Sequence, residues 1–137
     1  MEIPLLDRSN YLKGLLIIAR MDNQLSETEI SIINKFAKRM GFSSDFVTET
    51  IKNLLENKYI TEDPLKFSSQ SISKSFIEDG LKLALSENTI NEAEISWLKD
   101  TAKVNGFDEE LVDKKIKEIK AKPISLMKSE FALFSLI

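Results

Sequence analysis

Four acidic side chains stand at matching positions in two short segments of the chain. Asp22 and Glu29 bound the first segment, Glu87 and Glu94 bound the second, and both read acid–Asn–x–aliphatic–Ser or Asn–x–x–Glu. Carboxylate oxygens are the ligands that hard divalent cations prefer. If the two segments face each other in the fold, the four carboxylates could share one weakly bound divalent cation.

An autonomous EF-hand calcium loop is excluded. Each segment aligns with the last eight positions of such a loop, but the first and third ligand positions would fall on Ile18 and Arg20, or on Leu83 and Leu85. None of these side chains can ligate calcium, which requires six to eight oxygens.

Helix capping is the competing interpretation of the same acids. The stretch from Ser26 to Glu29 fits a capping box, in which the two residues exchange hydrogen bonds at the first turn of a helix. The stretch from Asn91 to Glu94 fits the same pattern. Asp22 and the matching Glu87 would then be turn acids near the positive end of the following helix.

The two segments belong to a longer internal repeat with a constant offset of 65 residues. Residues 11–54 align without a gap onto residues 76–119, with 14 identities in 44 pairs. This predicts a single all-α domain, 1–137, made of two duplicated helix–loop–helix units. We expect a helical bundle with an internal pseudo-twofold axis. Its parts are a first repeat at about 10–57, a linker at about 58–69, a second repeat at about 71–122 and a C-terminal helical segment at 123–137.

Apolar residues recur at helical spacing through both repeats. The first helix is predicted from about Asn10, Phe46 is predicted to be buried in the third, and Trp97 lies at the edge of an apolar stripe. Gly41 and Gly106 are expected to end helices in the left-handed conformation. Gly80, in the middle of a helix, is expected to mark a close helix crossing.

The C-terminal segment is too apolar to be free in water. Between Phe131 and Ile137 only Ala132 and Ser135 are not large hydrophobic residues. We expect it to pack on the bundle of its own chain; a homodimer formed through this segment is the alternative.

Composition excludes several classes of function. The chain has no cysteine and no histidine, so it lacks a thiolate nucleophile and the commonest general base and transition-metal ligand. A net charge of −3 argues against a nucleic-acid-binding protein. No run is long and apolar enough to be a transmembrane segment. Without a basic, apolar leader at the amino terminus, a cytoplasmic location is expected.

The repeated pattern resembles the TerB-like family, which is named for a tellurite-resistance protein and is related to the amino-terminal region of DjlA-type co-chaperones. The residues that carry the resemblance are Ala19, Asp22, Asn23, Leu25, Ser26 and Glu29, and then Ala84, Glu87, Asn88, Ile90, Asn91 and Glu94. The resemblance implies a helical bundle, a bacterial stress-response setting and an acidic site for a divalent metal. Two departures bear on the metal: Asn replaces the usual Gly in both copies, and Glu87 replaces the second Asp.

From these observations we expect a non-enzymatic module that binds a protein partner and, weakly, a divalent cation through Asp22, Glu29, Glu87 and Glu94. The alternative is a small carboxylate-dependent metal hydrolase. The two differ in one structural respect, because an enzyme needs an open acidic cleft, whereas an interaction module presents an apolar surface or groove.

Overall fold

The computed structural model describes residues 2–21, 26–56, 61–85, 91–121 and 131–137, and within these ranges it contains helices and no β-strand. The all-α bundle is therefore confirmed. Within the same ranges, no helix combines the length and the apolar character needed to cross a membrane. The six α-helices and one 3₁₀-helix are α1 (Leu5–Met21), α2 (Glu27–Arg39), α3 (Ser44–Glu56), α4 (Gln70–Ala84), α5 (Glu92–Val104), α6 (Glu109–Ala121) and the 3₁₀-helix Ala132–Leu136.

Helices α1 and α4 form the centre of the bundle. They pack against each other, α1 also contacts α2 and α3, and α4 also contacts α5 and α6. Gly80 lies at a tight helix contact, as predicted, because a Cβ atom there would come within 2.9 Å of both Ile18 and Leu98. The ring of Phe76 packs directly on Gly14 in the same way. Small residues thus allow the central helices to approach closely.

The first helix starts earlier than the sequence pattern indicated. It begins at Leu5 rather than about Asn10, and the Arg8 N–H donates to the Pro4 carbonyl at 3.0 Å. The Pro4 carbonyl accepts the first hydrogen bond of the helix, so Pro4 directly precedes α1 instead of belonging to an irregular lead.

Two side-chain predictions were wrong for a shared reason. Phe46 is 49% exposed, whereas its neighbour Val47 is buried, so the face that α3 turns towards the core includes Val47 and not Phe46. Trp97 is only 5% exposed rather than at an edge, and its indole N–H donates to the Glu62 carbonyl at 2.9 Å. Periodicity alone did not show which residue of an apolar stripe would reach the core.

The two predicted helix stops have the same geometry. Gly41 and Gly106 both have φ of +87°, a conformation that glycine adopts without steric cost. The next residue in each case, Phe42 or Phe107, donates its N–H to a carbonyl five residues earlier at 2.9 Å. The two helix ends are 65 residues apart, which is the offset of the sequence repeat. The duplication and its pseudo-twofold axis remain predictions.

The C-terminal residues pack on their own chain. We call Phe131–Ile137 the C-terminal strap; it contains the 3₁₀-helix and contacts α4. Phe131, Leu133 and Phe134 are buried, and the Phe131 and Phe134 rings lie against Phe36. The expected intramolecular packing is confirmed for these residues, and the homodimer through this segment stays a prediction. The rest of the predicted segment, 123–130, lies outside the described residues.

Candidate functional site

The start of α2 has the predicted capping box. Ser26 has extended backbone angles, and its hydroxyl accepts the Glu29 N–H at 3.1 Å. In return, the Glu29 carboxylate accepts the Ser26 N–H at 3.3 Å and the Ser26 hydroxyl at 3.2 Å. Glu29 is 1% exposed, so the carboxylate caps the helix from inside the fold.

The start of α5 differs from the predicted second box. The Asn91 side-chain carbonyl accepts the N–H of Ala93 at 2.9 Å, one residue before the Glu94 N–H that a box requires. Asparagine is a good cap in this geometry too, since it satisfies one of the open N–H groups of the first turn. Glu94 is 0% exposed. Both predicted glutamates are thus buried at helix starts, in different local arrangements.

The second acidic segment contacts the residue that precedes the first. The Asn91 side-chain amide donates to the carbonyl of Met21 at 3.3 Å, which joins the start of α5 to the end of α1. Next to it, Arg20 forms an ion pair with Glu62 at 3.1 Å, and the Glu62 carbonyl accepts the indole N–H of Trp97. The end of α1, the linker and the start of α5 are therefore joined by polar contacts.

Asp22 and Glu87, the other two predicted ligands, lie outside the described residues. Among the residues that are described, no group of three or more Asp or Glu side chains is arranged to hold a metal ion. Glu29 and Glu94 have the donor chemistry that a hard cation needs. The Asn91–Met21 contact places the start of α5, which holds Glu94, beside the end of α1, where Met21 is the last described residue before Asp22.

A buried aspartate of α4 that the sequence did not single out binds both α1 and the C-terminal strap. Asp79 is 0% exposed and accepts hydrogen bonds from the Tyr11 hydroxyl, from the Ala132 N–H at 2.7 Å and from the Leu133 N–H at 3.2 Å. Burial raises the pKa of the Asp79 carboxyl to about 6, although these hydrogen bonds oppose the shift. Burial, together with the nearby Asp79 charge, raises the pKa of Tyr11 well above its ordinary value.

A second buried aspartate attaches the linker. Asp7, in the first turn of α1, accepts both the N–H of Ser68, at 2.9 Å, and the Ser68 hydroxyl. The only signal in the sequence was an acid near a helix start, which is too common to identify a partner 61 residues away.

Asn105 binds the linker to α5. Its amide donates to the carbonyls of Leu65 at 2.7 Å and Thr101 at 2.8 Å, and its oxygen accepts from the Phe67 N–H and the Ser73 hydroxyl, both at 2.9 Å. The side chain thus uses all its hydrogen-bonding groups inside the protein. The segment predicted as a plain linker is, in its described part, an extended and tightly held element.

An apolar groove of about 300 Å³ runs between α1 and α3. The exposed ring of Phe46 forms one wall, and Leu12 and Leu16 lie along the other. Lys13 lies among the lining residues. A groove bounded by two helices has the general form of the surfaces that receive a helical segment.

Comparisons with protein-family models, with curated proteins and with solved structures found no match to this chain.

Proposed function

We propose that this chain is a non-enzymatic, TerB-like helical module that binds a protein partner and binds a divalent cation weakly through Asp22, Glu29, Glu87 and Glu94. The resemblance of the repeated segments suggests a bacterial stress response as its setting. One observation supports the cation site above the others: the hydrogen bond from Asn91, within the second acidic segment, to Met21, the residue before the first segment.

The cation site requires carboxylates from both acidic segments. One segment supplies too few oxygens for a hard cation, which needs at least six ligands including water. Two carboxylates from each segment, with carbonyl oxygens and water, would provide a weak site. Glu29 also caps α2, so cation binding at this carboxylate would be coupled to the stability of the helix start.

The burial of the two glutamates favours binding over catalysis. Glu29 and Glu94 are 1% and 0% exposed, whereas a carboxylate-dependent hydrolase would need acids that face an open cleft. The apolar groove between α1 and α3 is the surface that suits a protein partner, because Phe46 and its neighbours leave apolar area accessible there.

Trp97 provides a signal for testing the cation site. Its indole contacts Glu62, which pairs with Arg20 beside Met21, so a change at the first acidic segment should reach this fluorophore. Calcium, magnesium, manganese and zinc would be titrated into chelator-treated protein while Trp97 fluorescence and the melting temperature are recorded. We expect saturation and a higher melting temperature with at least one of these ions.

Matched variants separate a site from a general effect of charge. Asp22→Asn should abolish the saturable change, whereas Glu27→Gln, which removes an exposed acid from the first turn of α2, should retain it. A flat response to all four ions up to millimolar concentration would show that the acids serve only as helix caps. Equal loss in both variants would indicate non-specific screening of negative charge.

A further inference from the structure

Only one asparagine of this chain is followed by glycine, and it is the residue that binds the linker to α5. Asn105 and Gly106 stand at the end of α5, where Asn105 closes the helix and Gly106 has its φ of +87°. An asparagine before glycine is chemically unstable in a flexible chain, because no Cβ atom hinders the next backbone nitrogen from reaching the side-chain amide. Asn105 therefore joins a reactive local sequence to a structural role.

Four hydrogen bonds fix the Asn105 side chain in the folded protein. Its amide nitrogen donates to the carbonyls of Leu65 and Thr101, and its oxygen accepts from the Phe67 N–H and the Ser73 hydroxyl. The residue is 9% exposed, so little water reaches it. Moving the side-chain carbonyl carbon towards the next backbone nitrogen would leave these buried donors and acceptors unpaired, which costs free energy.

The backbone nitrogen that would attack this amide is also held. The Gly106 N–H donates to the Lys103 carbonyl at 3.0 Å, and the attack requires that this nitrogen first lose its proton. A hydrogen-bonded backbone amide releases its proton to water only after the bond opens. The folded arrangement therefore suppresses the reaction at both atoms that would form the new bond.

We propose that Asn105 is a site of spontaneous deamidation, which is protected while the linker is bound and reacts when the linker detaches. The Gly106 nitrogen loses its proton to water and forms a bond to the side-chain carbonyl carbon of Asn105. The side-chain nitrogen takes a proton and leaves as ammonia. Water, the only other reactant, then opens the resulting succinimide ring and gives aspartate or isoaspartate at position 105.

The product of this reaction does not fit the site that Asn105 occupies. An ionised aspartate has no N–H group for the carbonyls of Leu65 and Thr101, and its charge would face both of them in a buried position. Isoaspartate, in addition, carries the main chain through the former side chain and so displaces the backbone. Deamidation therefore converts a reversible detachment of the linker into a permanent one.

Mass spectrometry of the full-length protein tests the proposal. The protein would be incubated in mildly alkaline buffer with and without guanidinium chloride, and trypsin cleavage after Lys103 and Lys114 would release a peptide in which Asn105 is the only asparagine. In denaturant, Asn105 should deamidate faster than any other asparagine of the chain. In buffer alone, its deamidation should be at least about tenfold slower, because a buried hydrogen-bonded group opens rarely. Asn34, exposed but followed by Lys35, is the internal control and should react slowly in both solutions.

Two variants separate the chemistry from the fold. In denaturant, Gly106→Ala should slow the reaction at Asn105, because a Cβ atom hinders the attack whether or not this variant folds in buffer. In buffer, Ser73→Ala removes one of the four hydrogen bonds and should raise the rate about fivefold, the effect of one lost bond on an opening equilibrium. Ser135→Ala, which removes an exposed hydroxyl from the strap, is the matched control and should leave the rate unchanged.

The variant Asn105→Asp reports on the deamidated product. We expect a lower urea midpoint and faster hydrogen exchange at the Phe67 amide than in the native protein. Equal deamidation rates with and without denaturant, or a rate at Asn105 in denaturant no higher than at Asn34, would overturn the proposal. An Asn105→Asp variant that is as stable as the native protein, and as protected at Phe67, would overturn it too.

Discussion

The linker and the C-terminal strap are attached to the bundle by the same device, in two environments. Asp7 of α1 accepts the N–H and the hydroxyl of Ser68, and Asp79 of α4 accepts the N–H groups of Ala132 and Leu133. Ser68 is exposed, so water is close to the first attachment, whereas Asp79 lies under the strap with Tyr11 as its third donor. Both carboxylates are buried, but the Asp7 attachment ends at an exposed serine, whereas the Asp79 attachment is covered by the strap.

The largest expected difference between the two attachments concerns loss of the carboxyl group. At about pH 5, Asp79→Ala should lower the free energy of unfolding by about 3 kcal/mol, because it leaves the Tyr11 hydroxyl and two N–H groups without their acceptor in a buried site. Asp7→Ala should cost about 1 kcal/mol, since water can replace the carboxylate at the exposed Ser68. Urea unfolding of both variants measures this. Equal losses would show that burial does not distinguish the attachments.

The pH dependence of stability should differ between native protein and Asp79→Asn. Because the pKa of Asp79 is raised to about 6 in the folded protein, the stability that its proton provides is complete below about pH 4 and is lost as the pH rises through 6. Stability of the native protein relative to Asp79→Asn should therefore increase by up to about 3 kcal/mol on acidification from about pH 7 to about pH 4. Parallel urea midpoints across that range would contradict the assignment.

Asp79, which attaches the strap, also accepts a hydrogen bond from the Tyr11 hydroxyl. Tyr11→Phe removes one hydroxyl donor while the ring can keep its contacts with Phe36, Phe67 and Phe76. At about pH 7 the expected loss is about 1–2 kcal/mol, typical of a hydrogen bond to a charged group, and it should shrink at about pH 5, where Asp79 is mostly protonated. Thermal unfolding at both pH values provides the measurement, and a loss that is the same at both would be evidence against a charged partner.

The smallest effect is expected at the linker. Ser68→Ala removes the hydroxyl that Asp7 accepts but leaves the backbone N–H in place. Because the site borders water, the loss should be about 0.5–1 kcal/mol. Urea unfolding at neutral pH can detect it. A loss above about 2 kcal/mol would mean that the linker attachment is as sensitive as the strap attachment.

Local sequence patterns predicted the features that depend on neighbouring residues. The capping box at Ser26 and the left-handed stops at Gly41 and Gly106 are properties of four to six consecutive residues, and the structure confirms them. The tight contact at Gly80 was also predicted, since glycine within a helix weakens it unless close packing is gained.

The attachments could not be predicted in the same way. Tyr11 and Asp79 are 68 residues apart, and Asp7 and Ser68 are 61 apart, so no local pattern links them. In the sequence, Tyr11 is one of several large hydrophobic residues near the amino terminus, and Asp79 is one of 22 acidic residues in the chain. At the candidate cation site, the sequence pattern predicted that Glu29 and Glu94 lie at helix starts. It did not predict that both side chains are buried.

Asn105 has a consequence for how the protein unfolds. Its four hydrogen bonds join α5 to the linker and to α4, while the linker also contacts α1 through Glu62 and Arg20. Two repeats joined by a loose tether would melt independently, in two steps. Here the linker is bound by residues of both repeats, so the stability of each repeat depends on the other. We therefore expect one cooperative calorimetric transition for the described bundle, with equal van't Hoff and calorimetric enthalpies.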